Sequence, residues 1–159
     1  MELTSDKFIL DIVRHGLELN FTDKVPSNKP CECGRSNKDQ QIIHDEINKL
    51  VSKDIISHCE YSIQDFFSNL FIRPKKDGTF RTILNLKQLN KDCDTHHFKM
   101  ESIKHAVYMI KPYSYMASLD IKDAFYTVPI HDSHRKYLKF QFDKQIYQFN
   151  SMPNEYIDA

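Results

Sequence analysis

The sequence predicts an α+β fold, because helix-like and strand-like patterns occupy separate blocks of the chain. Apolar residues recur at helical spacing in residues 5–19 and again in residues 38–52. From residue 66 onward apolar and polar residues alternate, and turn residues such as Asp77-Gly78 separate the alternating runs. The resulting order of helices, hairpin, helix, strand and hairpin differs from the regular strand–helix alternation of a doubly wound fold.

Length and composition indicate one globular domain or a large part of one, with 159 residues of which 40% are hydrophobic and 28% charged. The formal net charge is zero, so bulk electrostatics do not mark the whole molecule as a polyanion binder. One segment differs, because residues 71–91 carry six bases against one acid. The bases are Arg73, Lys75, Lys76, Arg81, Lys87 and Lys91. This concentration predicts a surface that faces phosphate groups.

The first part of the chain, residues 1–37, is predicted to be an N-terminal helix followed by an extended linker. Gly16 is the expected weak point or end of that helix. No run approaches the ~18 apolar residues of a membrane span, and the N-terminus does not resemble a secretory signal. The irregular cysteine spacing favours reduced thiols in an intracellular protein (cytoplasm or nucleus) over a zinc site. The cysteines are Cys31, Cys33, Cys59 and Cys93.

The remainder predicts two hairpins with a helix and a single strand between them. The predicted elements are strands 67–73 and 80–86, a loop over 87–99, helix 100–110, strand 115–120, a helical turn over 123–128 and strands 137–142 and 145–149. Asp77-Gly78 marks the first hairpin turn, and Asp143-Lys144 marks the second. The first hairpin therefore carries basic side chains in or near its tip.

Asp120 stands at the end of the apolar run of the predicted strand 115–120, and Asp123 follows three residues later. A carboxylate at the end of a buried strand is costly unless a charge lies opposite it, and a divalent metal is one solution. The alternative is that Asp120 caps the turn that follows, which this stretch alone favours. Phosphoryl transfer, however, needs both metal-binding carboxylates and Lys or Arg for the outer phosphates. A two-metal site would need at least one acidic ligand besides Asp120.

Several motifs in order then resemble a known family over the last 90 residues or so. FIRPKKDGTFRTILNLKQLNK resembles the fingers hairpin of reverse transcriptases, SLDIKDAFYTVPI their first palm motif, and HRKYLKFQF with YQFNSMP the strands that follow. The amino-acid sequences of these motifs are similar to those of retrotransposons of the DIRS and gypsy groups, with the DIRS type favoured. The resemblance implies the fingers and part of the palm of a right-hand polymerase over residues 38–153, and a divergent tail over 154–159.

The resemblance also implies roles for individual residues. Asp120 matches the first catalytic aspartate, which binds both Mg²⁺ ions. Asp123 matches a residue that lines the triphosphate pocket through its backbone, and Phe125 matches the aromatic gate that excludes a ribose 2′-hydroxyl. Arg81 matches the fingers arginine on the incoming base and its phosphate, and Lys75 matches the lysine on the γ-phosphate. Nucleic-acid contacts are implied for Lys76, Lys87 and Asn90.

Each role has a simpler alternative. An aromatic residue near a strand end, such as Phe125, is usually core. Lys75 and Lys76 could be ordinary solvated turn residues, and Arg81 could be an edge-strand charge. Lys139 and Arg135 either contact the template backbone or belong to a solvated face. His96, His97, His131 and His134 form no coherent ligand set and are expected at the surface.

The last residues, NEYIDA, depart from the family pattern, which continues with a Gly-containing helix and a hairpin of paired aspartates. The expectation is therefore a truncated polymerase that is inactive alone, because the other metal carboxylates and the thumb are missing. The full-length parent is expected to use Mg²⁺, an RNA or DNA template with primer, and dNTP, without a membrane. The alternative is a nucleic-acid or protein-binding module without chemistry, motivated by the basic hairpin.

Overall fold

The structure is a computed structural model that describes residues 4–22, 26–30, 37–75, 78–94, 102–111, 113 and 115–154. The helices are α1 (Lys7–His15), α2 (Asn37–Ser52), α3 (Lys87–Asp92) and α4 (Ile103–Met109). The strands are β1 (Ile56–His58), β2 (Leu70–Pro74), β3 (Phe80–Leu84), β4 (Lys139–Phe142) and β5 (Gln145–Phe149). Two 3₁₀ turns, Ala124–Thr127 and Asp132–Tyr137, complete the described elements.

A three-stranded antiparallel sheet in the order β1-β5-β4 forms one side of the core. The predicted β4–β5 hairpin is confirmed, and its two turn residues, Asp143 and Lys144, both have positive φ. This is the backbone that tight hairpin turns favour. The sheet buries Phe140 and Phe149, which belong to the same apolar cluster as Ile43 and Ile47 of α2. The apolar period of residues 38–52 therefore marks the face of α2 that joins the core.

The basic hairpin predicted from the sequence is β2 paired with β3 in antiparallel register, with Arg73 opposite Arg81. At its tip the Lys75 N–H donates to the Thr79 carbonyl at 2.7 Å. Gly78 takes a φ of 80°, a backbone conformation that other residues rarely adopt. Lys76 and Asp77 lie outside the described residues.

The N-terminal helix ends at His15 and does not reach residue 19, and its C-cap is Gly16, the residue expected to be its weak point or end. Gly16 has a φ of 89° and lies against the backbone of Ile130 and His131, so the chain leaves the helix there. The following residues pair with the rest of the fold: Leu17 bridges Ile130, and Phe21 bridges Cys93. The beginning of the segment predicted as a linker is therefore anchored.

Two other predicted elements differ in the structure, and one strand was not predicted. The predicted strand 115–120 is wrong, because these residues have no regular secondary structure and are exposed. A strand needs a hydrogen-bonded neighbour, and no described strand pairs with this segment. Helix α3 occupies part of the predicted loop 87–99, and β1 was not predicted, since its three residues are too few to show alternation. None of the described helices is long and apolar enough to span a membrane.

Candidate functional site

A cleft of about 530 Å³ lies where α2, the β2–β3 hairpin and the first 3₁₀ turn meet, and its volume is typical of small-molecule sites. It is lined by Glu46, Lys49, Leu50, Ser52, Lys53, Lys75, Phe80, Arg81, Thr82, Lys122, Asp123, Phe125, Tyr126 and Asn154. Residues 75, 81, 123 and 125 are the nucleotide-binding residues predicted from the resemblance, so the structure brings all four together. Of the residues that the structure describes, five bases and two acids line the cleft, which favours an anionic ligand.

The hairpin forms the first wall of the cleft. Lys75 follows the last residue of β2 directly, and Arg81 is the second residue of β3. Pairing of β2 with β3 fixes both positions relative to the core, because Leu70 and Leu84 at the other end of the hairpin are buried. The two cations therefore project from a supported hairpin and reach the same cleft.

The first 3₁₀ turn forms the second wall. Asp123 precedes it in the left-handed region, with φ of 56°, a conformation that Asp tolerates better than most residues. The Phe125 side chain is 38% exposed and lines the cleft, so the structure does not make it a core residue. Tyr126 is half-buried, and burial is the main cause that raises the pKa of its hydroxyl. Its oxygen lies 3.4 Å from Asn154 Nδ2.

The third wall comes from the end of α2 and was missed by the sequence reasoning. Lys53 Nζ lies 3.2 Å from Asp123 Oδ2, while Lys49 pairs with Glu46 on its own helix. Lysines four residues apart share one face of a helix, and Lys53 directly follows the last residue of α2, so the spacing of Lys49 and Lys53 was a usable signal. What the sequence could not show is that this face meets a turn 70 residues further along the chain.

Asp120 is exposed and is not among the residues that line the cleft. It does not cap the following turn, whose N-cap residue is Asp123. No cluster of three or more His, Cys, Asp or Glu suited to a metal ion occurs in the part of the chain that the structure describes. Mg²⁺ is often held by one or two carboxylates plus substrate phosphates and water. The Asp120 carboxylate could therefore supply one Mg²⁺ ligand, with the remaining ligands from phosphates and water.

Two of the three residues predicted to contact nucleic acid, Lys87 and Asn90, are not among the residues that line the cleft. Lys87 is exposed at the start of α3, and Asn90 is half-buried one turn later. Lys76 lies outside the described residues. Lys87 and Asn90 therefore stand on a helix that follows the basic hairpin directly.

Two basic residues near β4 serve the fold. Lys139 is 5% exposed and pairs with the buried carboxylate of Asp65 at 2.8 Å, so the expectation of a solvated face or a template contact is wrong for it. Arg135 contacts Asp132 at 2.7 Å and donates from Nε to the Ile130 carbonyl. His134 is likewise engaged, because its Nδ1 accepts a hydrogen bond from the Leu19 N–H.

More than half of the chain, residues 73–156, matches the family model for reverse transcriptase (RNA-dependent DNA polymerase). The chain belongs to the reverse transcriptase family. This reverse transcriptase chain is 26% identical over 113 residues to the Transposon Tf2-3 and Tf2-4 polyproteins of Schizosaccharomyces pombe. The match covers 71% of the chain but only 8% of either polyprotein, so the chain spans a small part of these relatives.

Solved structures support the same fold. The native crystal structure of prototype foamy virus protease-reverse transcriptase has a TM-score of 0.66 at 18% identity, over 90% of this chain and 19% of that one. The foamy viral protease-reverse transcriptase in complex with dsDNA has a TM-score of 0.68 at 16% identity, over 88% and 29% of the two chains. The predicted α+β fold with fingers and partial palm is confirmed, and it corresponds to part of those larger proteins.

Proposed function

We propose that this chain forms the nucleotide-binding part of a retroelement reverse transcriptase. The full-length parent would carry out RNA-directed DNA synthesis. The observation that carries the proposal is the meeting of Lys75, Arg81, Asp123 and Phe125 at one cleft. Lys75 and Arg81 provide the cations that a triphosphate needs, and the family resemblance assigns Phe125, which lines the same cleft, to recognition of the sugar.

The proposed ligand is a dNTP together with Mg²⁺. Asp120 is the proposed protein ligand of the metal, which when bound neutralises charge that develops on the phosphates. Asp120 has no hydrogen bond or ion pair within the described residues, so its carboxylate is available for this role. A single carboxylate cannot build a two-metal site. We therefore propose that a polypeptide of these 159 residues binds nucleotide but does not polymerise alone.

Nucleotide binding is tested by an NMR titration of the polypeptide with dATP and Mg²⁺, which measures weak dissociation constants. Lys75→Ala and Arg81→Ala should each weaken binding by about tenfold or more, since each removes a charge-assisted hydrogen bond. Lys7→Ala is the matched control, because Lys7 is an exposed lysine of α1 outside the cleft lining. Absence of saturable dATP binding, or equal losses in all three variants, would contradict the proposal.

The absence of catalysis is tested with a primed RNA template, dNTP and Mg²⁺. No primer extension is expected from the polypeptide. Extension that Asp120→Ala abolishes would show that these residues already contain a working site.

The alternative function is nucleic-acid binding without chemistry, and the basic hairpin with α3 favours it. Lys87 is exposed beside the hairpin, and Arg73, Lys75 and Arg81 are exposed on it. Binding of a labelled primer–template, followed by fluorescence anisotropy, should weaken as salt rises and weaken further in Lys87→Ala. The Lys7→Ala variant should bind normally. If no binding occurs at low salt, this alternative is excluded.

We also propose that the source is a DIRS-type or gypsy-type retrotransposon, because the sequences of the motifs resemble those of these groups. The genomic sequence around these codons tests this, because it would carry the element's other domains. An intracellular location is proposed as well, because the irregular spacing of the cysteines favours reduced thiols. Localisation of a tagged copy of the chain would test this point.

A further inference from the structure

We propose that Lys53 is a positioning residue of the nucleotide cleft, which holds Asp123 and thereby sets the place of the Phe125 ring. The inference rests on the proposed function and adds to it the residue that directly follows α2. Lys53 Nζ and Asp123 Oδ2 are 3.2 Å apart, and the two residues are separated by 70 positions in the chain. The ion pair therefore joins the end of α2 to the turn that carries Phe125.

The Lys53 end of this contact is firmly anchored. Leu50 is buried in the core, and the turn after α2 is closed by the Ile55 N–H donating to the Leu50 carbonyl at 3.0 Å. Asn150 Nδ2 also donates to the carbonyl and to Oδ1 of Asp54, at 3.1 and 3.2 Å. The backbone beside Lys53 thus has fixed neighbours on both the helix and the strand side.

The Asp123 end has little other support. Residues 115–124 are exposed, and Asp123 holds a left-handed backbone. Asp123 and Ala124 also accept hydrogen bonds from Tyr126 and Thr127 of the following turn. Among the described residues, the pair with Lys53 is the only hydrogen bond or ion pair that links residues 115–124 to a part of the chain beyond that turn. The first 3₁₀ turn begins at Ala124, directly after Asp123, and Phe125 is its second residue. Movement of Asp123 is therefore transmitted to the Phe125 ring.

The specific consequence is sugar selectivity. A ring that excludes a 2′-hydroxyl must be held firmly, because a small displacement admits one more oxygen atom. Removing the contact should therefore affect ATP and dATP differently, whereas removing a positive charge from the cleft should affect both nucleotides alike. Lys49 provides the matched comparison, since it lines the same wall but pairs with Glu46 instead of the turn.

The experiment measures dissociation constants for dATP and ATP, each with Mg²⁺, by NMR titration of the wild type and the variants Lys53→Gln, Lys53→Arg and Lys49→Gln. The ratio of the ATP constant to the dATP constant should fall about two- to fivefold in Lys53→Gln, the range expected for one exposed ion pair. Lys53→Arg should restore most of the ratio, and Lys49→Gln should leave the ratio unchanged. In the free protein, the amide signals of Ala124 and Phe125 should shift in Lys53→Gln but not in Lys49→Gln.

If the protein binds dATP but the ratio is unchanged in Lys53→Gln, the inference is overturned and the proposed function is upheld. An equal fall in Lys49→Gln also overturns it, because the effect would then come from charge and not from the contact. If the wild type does not bind dATP, the proposed function fails and the inference fails with it. A thermal melt of each variant shows whether a lost signal reflects unfolding.

Discussion

His134 anchors the N-terminal segment through a ring nitrogen that accepts a hydrogen bond. The Leu19 N–H donates to His134 Nδ1 at 2.9 Å, and the Leu19 side chain is buried. A protonated imidazole has no acceptor, so the contact requires the neutral ring. Burial is the main cause that lowers the pKa of His134 below its ordinary value of 6.5, and Glu18 opposes this effect.

We expect the protein to lose stability as the pH falls from about 7.5 to about 5.5, with His134 as one source. The unfolded chain takes up the proton at an ordinary histidine pKa, whereas the folded chain resists it, so acid favours unfolding in this window. Urea unfolding at a series of pH values measures the effect. His134→Asn keeps an acceptor without a titrating ring, and its stability should depend less steeply on pH. An unchanged slope would contradict this role for His134.

Lys139 and Asp65 form a buried ion pair that should be costly to break from one side. The two side chains are 6% and 1% exposed, and Lys139 Nζ also donates to the Glu60 carbonyl at 2.9 Å. Lys139→Met leaves the Asp65 carboxylate uncompensated and should cost about 3–5 kcal/mol of unfolding free energy. The double variant Lys139→Met/Asp65→Asn should recover part of this loss in urea unfolding. Equal losses in the single and double variants would contradict it.

At the residue scale, the sequence predicted the chemistry of a side chain better than its burial or its partners. Lys139 alternates with Phe140 in a half-polar strand, which predicts a solvated lysine. Its partner lies 74 residues away in an irregular segment, so no local pattern identifies the pair. Phe125 differs from expectation in the opposite direction. An aromatic side chain is expected in the core, but the turn that follows Asp123 leaves Phe125 exposed at the cleft.

Gly16 connects α1 to the segment that packs on Ile130, and it has both backbone and steric reasons to be glycine. Its φ is 89°, and a Cβ there would lie 2.5 Å from the His131 nitrogen. Gly78 at the hairpin tip has a similar φ of 80°, but nothing lies within 4 Å of a Cβ added to it. A substitution at Gly78 therefore introduces backbone strain alone, whereas a substitution at Gly16 introduces backbone strain and a steric clash.

We expect Gly78→Ala to cost about 1 kcal/mol of unfolding free energy, from backbone strain alone. Gly16→Ala should cost at least about 2 kcal/mol, because the chain must also move away from His131. Urea unfolding of the two variants and the wild type measures the difference. Similar costs in both variants would mean that the contact between Gly16 and His131 relaxes freely.

At the element scale, local signals were sufficient where an element supplies its own pairing. Both hairpins were predicted, because each contains its turn residues and both of its strands. The predicted strand 115–120 fails for the opposite reason, since its pattern is correct but no described strand lies beside it. Strand β1 depends on β5, about 90 residues later, and its three residues carry no period of their own.

For the whole molecule, the sequence predicted one half of the cleft and the fold supplied the other. The motifs identified the residues on the hairpin and on the first 3₁₀ turn, which the cleft contains. The α2 wall with Lys53 has no motif, because only the tertiary packing of α2 brings it there. Asp120 remains a predicted metal ligand on an exposed segment beside the cleft.

The same segment exposes an unusual amount of apolar surface. From α4 to the first 3₁₀ turn, large apolar side chains face outward in succession, including Tyr108, Tyr115 and Leu119 at 89%, 104% and 89% exposure. Exposed large apolar side chains promote association where they form a patch. Within the described residues, no packed element covers residues 115–121.

We expect a polypeptide of these residues to self-associate and to bind a hydrophobic dye through this surface. Met116→Ser/Leu119→Ser should reduce both effects without lowering the melting temperature, because the two side chains are 74% and 89% exposed and contribute little to the core. Leu138→Ser is the control for the opposite behaviour, since Leu138 is fully buried and its loss should lower the melting temperature and increase dye binding. Sedimentation velocity over a range of concentrations, with dye fluorescence in parallel, measures the result. If the double variant associates as strongly as the wild type, the association arises elsewhere, and the exposed edge of the β2–β3 hairpin would be the next surface to test.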